Sequence, residues 1–388
     1  MDGYVSTGHL PSARQVQAAV DEAYRLYRAQ AGGETSQVYP ALARVPGHLF
    51  GICVTGVRGG MYRAGDSGHE FTIMSVAKPF VFALVCEVLG AEQARQKLGV
   101  NATGLAFNSL SFVERSADGR SNPMVNAGAI AATSLMPGDG GEEKWKFLVG
   151  GLSRFAGRDL SLSEEIYASA AATNHSNRAI ANLLASRDRI YWDPAETVDL
   201  YTRQSCLLTS AEDLAVMTAT LADGGVSPVT GVRAVTPDAC QHALAVMATA
   251  GMYETSGDWL FDVGVPGKSG ISGGVIAVSP GKGGLGTFSP LLDPAGNSVR
   301  GQLAARHLSG TLGLSLFASK APRPHGKRAL PRHGHIDARD TPETRLIPEC
   351  LLEHGDAASG RPAPGFRRRA RDRRRHEPVR SHRPVSPG

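Results

Sequence analysis

The feature that most constrains the fold is an apolar run within the segment FTIMSVAKPFVFALVCEVLG, residues 71–90. From Phe80 to Leu89 this run has one charged side chain, Glu87. A helix that is apolar on nearly all sides must be buried, so the run predicts a helix at the centre of a globular domain. Pro79 would fall in the first turn of that helix, where a missing N–H does little harm.

A serine and a lysine stand at the head of the predicted helix. Ser75 and Lys78 are three positions apart, which places both side chains on one helical face within hydrogen-bonding reach. A serine hydroxyl needs a base, and a lysine with the ordinary pKa of about 10.4 is protonated and cannot serve. Burial and a second cation lower that pKa by up to several units. The pair is a candidate nucleophile and base, although such a spacing also occurs at helix starts with a surface lysine.

The stretch VGVPGKSGISGG, residues 263–274, allows three interpretations. A phosphate-binding loop would need glycine where Asp262 stands, and it would have to open a helix. A nucleophile elbow at Ser272 also needs a following helix, whereas GGVIAVSP predicts a strand. The remaining interpretation makes Lys268 a second cation on a strand that faces the Ser75 helix. It would support catalysis by lowering the pKa of Lys78.

Charge is unevenly distributed along the chain of 388 residues. From residue 321 onward there are 16 Lys and Arg against 8 Asp and Glu, which leaves 25 against 28 for residues 1–320. Residues 318–388 are rich in Arg and Pro and are predicted to be a disordered, solvated tail, because they cannot bury enough apolar area to fold. The globular domain is predicted over residues 1–317. Nucleic-acid binding is not expected, because the tail has no interleaved aromatic platform and no binding fold around it.

Several local signals within residues 1–317 indicate a mixture of helices and strands. Helices are predicted to begin after Ser12, with Gly32 near the end, and after Ser210 and Thr236. The segment LFGICVTGVRGGMYRAGD predicts a β-hairpin around Gly59 and Gly60. No run of about 18 apolar residues and no signal peptide are present, so neither a membrane partner nor secretion is expected, and the cytoplasm is the predicted location.

Four blocks carry a resemblance to a known family. SVAKPF, NPMVNAGAI, GMYETSG and GVPGKSGISGG are similar to motifs of the serine-dependent glutaminases, and the resemblance covers roughly residues 15–317. It implies an α+β, β-lactamase/transpeptidase-like fold, with a central antiparallel sheet flanked by helices and a mainly helical subdomain. It further implies hydrolysis of the side-chain amide of L-glutamine to L-glutamate and ammonia, in a homodimer or homotetramer. Acyl transfer through serine requires neither a cofactor nor a metal.

The resemblance also implies roles for single residues. Ser75 would attack the amide, Lys78 would take the proton of its hydroxyl, and Tyr253 would pass a proton to the departing ammonia. Backbone N–H groups of Ser75 and Ile271 would hold the oxyanion, each typically worth about 3–4 kcal/mol. Taken singly, the asparagines and tyrosines of this set would more often be caps, turn formers and packing residues. The family's substrate-binding positions fall on Ser75, Asn126, Asn177, Tyr201, Tyr253 and Ile271.

Two positions depart from the family pattern. Ala170 stands where the family has a glutamate for the substrate's α-amino group, and Glu165 has the wrong helical offset to replace it. Val38 stands at a site tyrosine, and Tyr39 is shifted by one residue, which in an extended segment would turn its ring to the other face. One alternative is therefore a catalytically impaired member of the same fold. A β-lactamase-like hydrolase is disfavoured, because no asparagine in the chain has Ser or Tyr two residues before it.

Overall fold

The fold is built on a five-stranded antiparallel sheet, which confirms the predicted α+β class. Its strands are β1 (Gly51–Gly56), β2 (Met61–Gly65), β5 (Gly267–Ser269), β6 (Gly274–Ser279) and β7 (Gly283–Phe288). They lie in the order β2-β1-β7-β6-β5, with every neighbouring pair antiparallel. A separate two-stranded sheet pairs β3 (Phe71–Thr72) with β4 (Leu208–Thr209).

Alternating side chains of the sheet enter two hydrophobic clusters. Ile52 and Val54 of β1 belong to the cluster under helices α1 (Ala13–Tyr27) and α12 (Val299–Leu312), while Cys53 between them belongs to the opposite cluster. This is the twofold alternation of a strand with both faces covered. The sheet is therefore sandwiched between helices on both sides.

Helix α9 (Ala211–Ala222) covers the second face and approaches β7 very closely. A Cβ atom at Gly286 would lie 2.3 Å from the carbonyl oxygen of Ala211, which is far too short for any side chain to fit. The glycines of the β7 sequence GGLGTF thus allow helix and strand backbones to pack against each other.

The remaining helices form the mainly helical part, and several of them pack against the apolar helix α2, whose residues from Ala77 through Cys86 are all buried. That burial confirms the prediction for Phe80–Cys86, whereas the end of the run reaches the surface, with Val88 41% exposed. These helices are α2 (Ala77–Leu89), α3 (Ala91–Leu98), α4 (Asn126–Ser134), α5 (Gly141–Ala156), α6 (Glu164–Thr173), α7 (His175–Ala185), α8 (Pro194–Ser205), α10 (Pro237–Ala250) and α11 (Ser256–Asp262).

The predicted helix starts are confirmed. Ser12, Ser210 and Thr236 are the N-cap residues of α1, α9 and α10, and Ser210 forms a capping box with Asp213. The predicted hairpin is the β1–β2 pair. Helix α1 ends at Tyr27, earlier than the predicted end near Gly32.

The computed structural model describes residues 8–318 apart from 107, 110–112 and 115–118. The predicted disorder of the tail concerns residues that, from 319 onward, lie outside the described part. Within that part, no single helix has the length and apolar character to cross a bilayer; residues 74–89 and 91–98 pass such a test only as a pair bent by 119°. The four cysteines within it, Cys53, Cys86, Cys206 and Cys240, are free and buried.

Candidate active site

Ser75 lies in a single 3-10 turn, Met74–Val76, between β3 and α2. The sequence predicted Ser75 at the head of the α-helix, whereas the α-helix begins two residues later, at Ala77. The preceding residue, Met74, has a φ of +47°, a conformation that non-glycine residues adopt at a cost of about 1–3 kcal/mol. Ser75 itself is half-buried, at the head of an otherwise buried helix.

Lys78 is buried, with 2% of its surface exposed. Its Nζ donates a hydrogen bond of 2.7 Å to Oδ1 of Asn126, the first residue of α4. Burial disfavours the charged ammonium and lowers the pKa of Lys78 from 10.5 to about 7. A large fraction of this amine is therefore neutral near pH 7, as a general base requires.

Three of the predicted binding residues form one hydrogen-bonded network with Lys78. Nδ2 of Asn126 donates to Oδ1 of Asn177 at 2.9 Å, and the Tyr201 hydroxyl donates to Oδ1 of Asn126 at 3.2 Å. Asn177 and Tyr201 come from α7 and α8, and all three side chains are buried. Both ends of the Asn126 amide are therefore engaged, which fixes its orientation beside the lysine amine.

Tyr253 reaches the same region from a short 3-10 turn after α10. Its φ is +57°, so the backbone is held in a conformation that is rare for a tyrosine. The hydroxyl donates to the carbonyl oxygen of Ser269 at 3.1 Å and is also hydrogen-bonded to the Ser75 side chain. Burial raises the pKa of Tyr253 well above its ordinary value of 10, an effect that the bond to Ser75 only partly offsets. The phenol therefore keeps its proton near neutral pH.

Lys268, on β5, is the second buried amine. Its Nζ donates to the carbonyl oxygen of Ser269 at 2.6 Å and lies 4.3 Å from the centre of the Tyr253 ring. Burial lowers the pKa of Lys268 well below 10.5, and repulsion from Lys78 lowers it further. The sequence argument gave Lys268 the task of lowering the pKa of Lys78, whereas burial is the cause of that shift.

Ile271 lies in the turn between β5 and β6 and is 8% exposed. The neighbouring Gly270 is packed against the serine turn, because a Cβ atom there would lie 3.4 Å from the backbone nitrogen of Ser75 and 3.2 Å from the Ile73 carbonyl oxygen. The backbone from Ile73 to the nitrogen of Ser75 is thus close to the backbone before Ile271. This proximity brings together the two segments predicted to hold an oxyanion.

One side of the site is apolar, and Ala170 lies within it. We call this cluster the apolar wall: Leu42, Met74, Ala170, Cys206, Ile271 and Leu292, each 8% exposed or less. Ala170 is 1% exposed, and Glu165 does not replace a carboxylate there, because it forms an ion pair of 2.5 Å with Arg44 at the surface. The expectation that Glu165 has the wrong offset is confirmed.

Tyr39 packs against the apolar wall, whereas the side chain of Val38 is 52% exposed. The expectation that Tyr39 would turn to the other face is wrong, because residues 38–40 form a bend and turn, not an extended strand. Burial raises the pKa of Tyr201, and the neighbouring phenols of Tyr39 and Tyr253 raise it further. Tyr39, which the sequence argument regarded as a doubtful substitute for the family's tyrosine, therefore lies close to the candidate site. The proline after it was the available signal, since Pro40 favours a turn.

A cavity of about 740 Å³ lies beside this region and reaches it through Ile271 and Leu292. Its other lining residues come from residues 32–38 and 293–296, with Val299. No group of three or more His, Cys, Asp or Glu in the described residues could hold a metal ion.

Comparisons with known proteins agree with this arrangement. The glutaminase family model matches residues 33–317. "Glutaminase 2" of Yersinia pestis is 62% identical over 317 residues, which are 82% of this chain and 93% of the relative. A glutaminase of Mycobacterium ulcerans is 47% identical over 306 residues, 79% of this chain and 96% of that protein.

Solved structures give the same result. The probable glutaminase YbaS is 41% identical, with a TM-score of 0.78, over 80% of this chain and all of that one. A probable glutaminase from Bacillus subtilis, in complex with 6-diazo-5-oxo-L-norleucine, is 31% identical, with a TM-score of 0.70, over 82% of this chain and all of that one. The predicted β-lactamase/transpeptidase-like fold is thereby confirmed. The comparisons do not support the impaired alternative or the β-lactamase alternative. On this evidence the chain belongs to the glutaminase family.

Proposed function

We propose that this chain hydrolyses the side-chain amide of L-glutamine, with Ser75 as the nucleophile. The hydroxyl of Ser75 attacks the amide carbon, and the amine of Lys78 accepts the hydroxyl proton. The pKa of about 7 at Lys78 supports this assignment, because it supplies a neutral amine at the start of the helix that carries it. Backbone N–H groups of Ser75 and Ile271 stabilise the oxyanion of the tetrahedral intermediate.

Tyr253 is the acid that completes the first half of the reaction. Its raised pKa keeps the phenol protonated, and its hydrogen bond to Ser75 places it beside the reacting atoms. The phenol passes a proton to the amide nitrogen as the carbon–nitrogen bond breaks, and ammonia leaves. Water then attacks the acyl-enzyme and gives a proton to the Tyr253 phenolate. L-Glutamate is released as the Lys78 proton returns to Ser75.

Lys268 supports Tyr253 in this scheme, since both groups donate to the carbonyl oxygen of Ser269. Two donors on one acceptor fix the position of the phenol relative to β5. Asn126, Asn177 and Tyr201 supply the polar groups that hold the carboxylate and amide of the substrate. In the described structure Asn126 also orients the Lys78 amine, so its loss affects both binding and proton transfer.

The observation that carries the proposal is the burial of the Lys78 amine next to the serine turn. The test is ammonia release from L-glutamine by the purified chain, compared with Ser75→Ala and with Ser186→Ala, which removes an exposed hydroxyl. We expect Ser75→Ala to lower kcat by about 10³-fold or more and Ser186→Ala to leave it unchanged. Release by the unaltered chain that does not exceed Ser75→Ala, even at saturating glutamine, would refute the proposal.

Two further features remain predictions from the sequence. We expect the chain to act in the cytoplasm, where reduced thiols such as the four buried free cysteines persist. We also expect a homodimer or a homotetramer, which sedimentation of the purified chain would measure.

A further inference from the structure

The turn that carries Tyr253 is held in a rare backbone conformation. Tyr253 has a φ of +57° and begins the 3-10 turn Tyr253–Thr255, between α10 and α11. A non-glycine residue keeps such a conformation only when the surrounding structure fixes it. The direction of the side chain depends on this backbone, and it brings the phenol to Ser75 and to the carbonyl oxygen of Ser269. The contacts that fix the turn therefore also set the position of the phenol.

Two of these contacts come from the hydroxyl of Ser256, a residue that is 7% exposed. Its Oγ accepts a hydrogen bond of 3.0 Å from the backbone nitrogen of Met252 and donates one of 2.8 Å to the carbonyl oxygen of Tyr253. These two backbone groups lie on either side of the Tyr253 Cα atom. One buried hydroxyl thus joins the chain before the strained residue to the chain after it and holds the turn closed.

Neighbouring contacts act on the turn in other ways. A Cβ atom at Gly251 would lie 1.8 Å from the carbonyl oxygen of Gly267, so the backbone before the turn packs tightly against β5. The Thr255 hydroxyl donates to the carbonyl oxygen of Met252, but the Thr255 backbone nitrogen donates to the same oxygen. The side chain of Thr255 therefore repeats a bond that the backbone already makes, whereas the Ser256 hydroxyl bonds two different backbone groups.

We infer that Ser256 is a positioning residue for the hydrolysis, because it holds the Tyr253 hydroxyl beside Ser75. This inference rests on the proposed function, in which Tyr253 is the acid for the departing ammonia. Without the Ser256 hydroxyl the turn can relax toward an ordinary negative φ, which moves the phenol away from Ser75. Proton transfer requires a donor within hydrogen-bonding reach, so the departing nitrogen then leaves more slowly.

The experiment measures kcat and KM for ammonia release from L-glutamine by the full chain and by Ser256→Ala. We expect kcat per folded molecule to fall by about tenfold, because displacement of a catalytic group removes much of its effect, and KM to change by less than about threefold. The matched control is Ser134→Ala. The buried Ser134 hydroxyl also accepts from a backbone nitrogen, of Tyr191, and donates to a backbone carbonyl oxygen, of Ala131. This control loses the same two kinds of bond and should keep its kcat per folded molecule.

A double-variant cycle separates positioning from a general loss of structure. Tyr253→Phe removes the phenol hydroxyl and should lower kcat by about 10²-fold. In that background Ser256→Ala should change kcat by less than about threefold, because no hydroxyl remains to be positioned. A tenfold loss in both backgrounds, or an unchanged kcat in Ser256→Ala alone, would overturn the inference and leave the proposed nucleophile intact.

If Ser256→Ala does not fold, Ser256→Cys makes the same comparison, because a thiol is a weaker donor and acceptor than a hydroxyl. The kcat should then fall by a smaller factor in the unaltered background and stay constant in the Tyr253→Phe background, and equal losses in both would overturn the inference. A Tyr253→Phe chain with unchanged kcat would also overturn it, since Tyr253 would not be the acid. Ammonia release by the unaltered chain that does not exceed Ser75→Ala would instead refute the proposed function.

Discussion

Two buried cationic side chains of this molecule, Lys78 and Arg300, have opposite chemical surroundings. Arg300, on α12, is 5% exposed, and its guanidinium donates to the backbone carbonyls of Gln30, Gly47, His48 and Leu49 at 2.8–3.4 Å. Lys78 is equally buried, and its amine donates to the side chain of Asn126. The guanidinium joins three segments of backbone, whereas the amine contacts a side chain of the candidate active site.

The comparison shows that burying a cationic side chain can stabilise the fold, as at Arg300, or change the chemistry of the group itself, as at Lys78. Arginine has five donors in a planar fork and stays protonated, so that carbonyl acceptors compensate for the lost water. Lysine can instead shed its proton, and burial lowers the pKa of Lys78 to about 7. We therefore expect Arg300 to determine stability with little effect on the reaction, and Lys78 to determine the reaction with little benefit to stability.

Of the substitutions considered, Lys78→Met should have the largest effect on kcat. Methionine keeps most of the volume but cannot accept a proton, so we expect kcat with L-glutamine to fall by about 10³-fold or more. The free energy of unfolding at pH 7 should stay the same or increase, because a buried amine is replaced by an apolar group. Ammonia release and urea denaturation measure the two quantities.

The matched control for this change is Lys146→Met, at an exposed lysine, which should leave both quantities unchanged. If Lys78→Met kept more than a tenth of the activity, the proton of Ser75 would have to go to another base. Lys78 would then not be the base, and the contrast with Arg300 would no longer hold.

Arg300→Met should produce the converse result. Removal of the guanidinium leaves buried carbonyls without a donor, and we expect the free energy of unfolding to fall by about 3 kcal/mol. The value of kcat per folded molecule should change by less than about threefold, because the carbonyl partners, at residues 30 and 47–49, lie between α1 and β1 and are not among the candidate site residues. Arg306→Met, on the same helix but with a side chain that is 62% exposed, is the control for stability. A large loss of kcat without loss of stability would contradict the assignment.

The sequence could place Ser75 and Lys78 close to the start of one buried helix, because their spacing depends on a single helical turn, while their catalytic roles stay a prediction. Ser75, Lys78 and the buried run after them are encoded locally, and the strand after Lys268 follows from β-branched residues. The cause of the lowered pKa could not be obtained in this way, since it depends on how completely several distant helices exclude water from Lys78. The network of Asn126, Asn177 and Tyr201 came from the family resemblance, because its members lie on three separate helices.

Tyr39 shows the limit of a periodicity argument. The alternation of faces holds for a regular strand, but the bend at residues 38–40 rotates the backbone, and the ring packs against the apolar wall. The composition of that wall could not be predicted either, because Leu42, Ala170 and Leu292 come together from remote parts of the chain. Local patterns thus predicted the elements and the positions of Ser75 and Lys78, and tertiary packing decided which side chains surround them.

The pH dependence of stability should show a smaller effect with a definite sign. The unfolded chain protonates Lys78 below about pH 10.5, and the folded chain only below about pH 7. Between these values the unfolded state binds one more proton, so the free energy of unfolding rises with pH by at most about 1.4 kcal/mol per pH unit from this group. That stability is complete above pH 10.5 and is lost as the pH falls toward 7.

Urea denaturation at pH 7.5 and pH 9.0 tests this linkage when the unaltered chain is compared with Lys78→Met. Lys268 and the tyrosines are present in both proteins, so the difference between the two pH slopes reports Lys78 together with its repulsion of Lys268. We expect a difference of about 2 kcal/mol over this interval. Parallel changes in both proteins would mean that Lys78 keeps an ordinary pKa in the folded chain. The amine would then be protonated at neutral pH in spite of its burial, and it could not deprotonate Ser75. The same group should appear in kcat/KM as a rising limb with an apparent pKa of about 7, because activity requires the neutral amine.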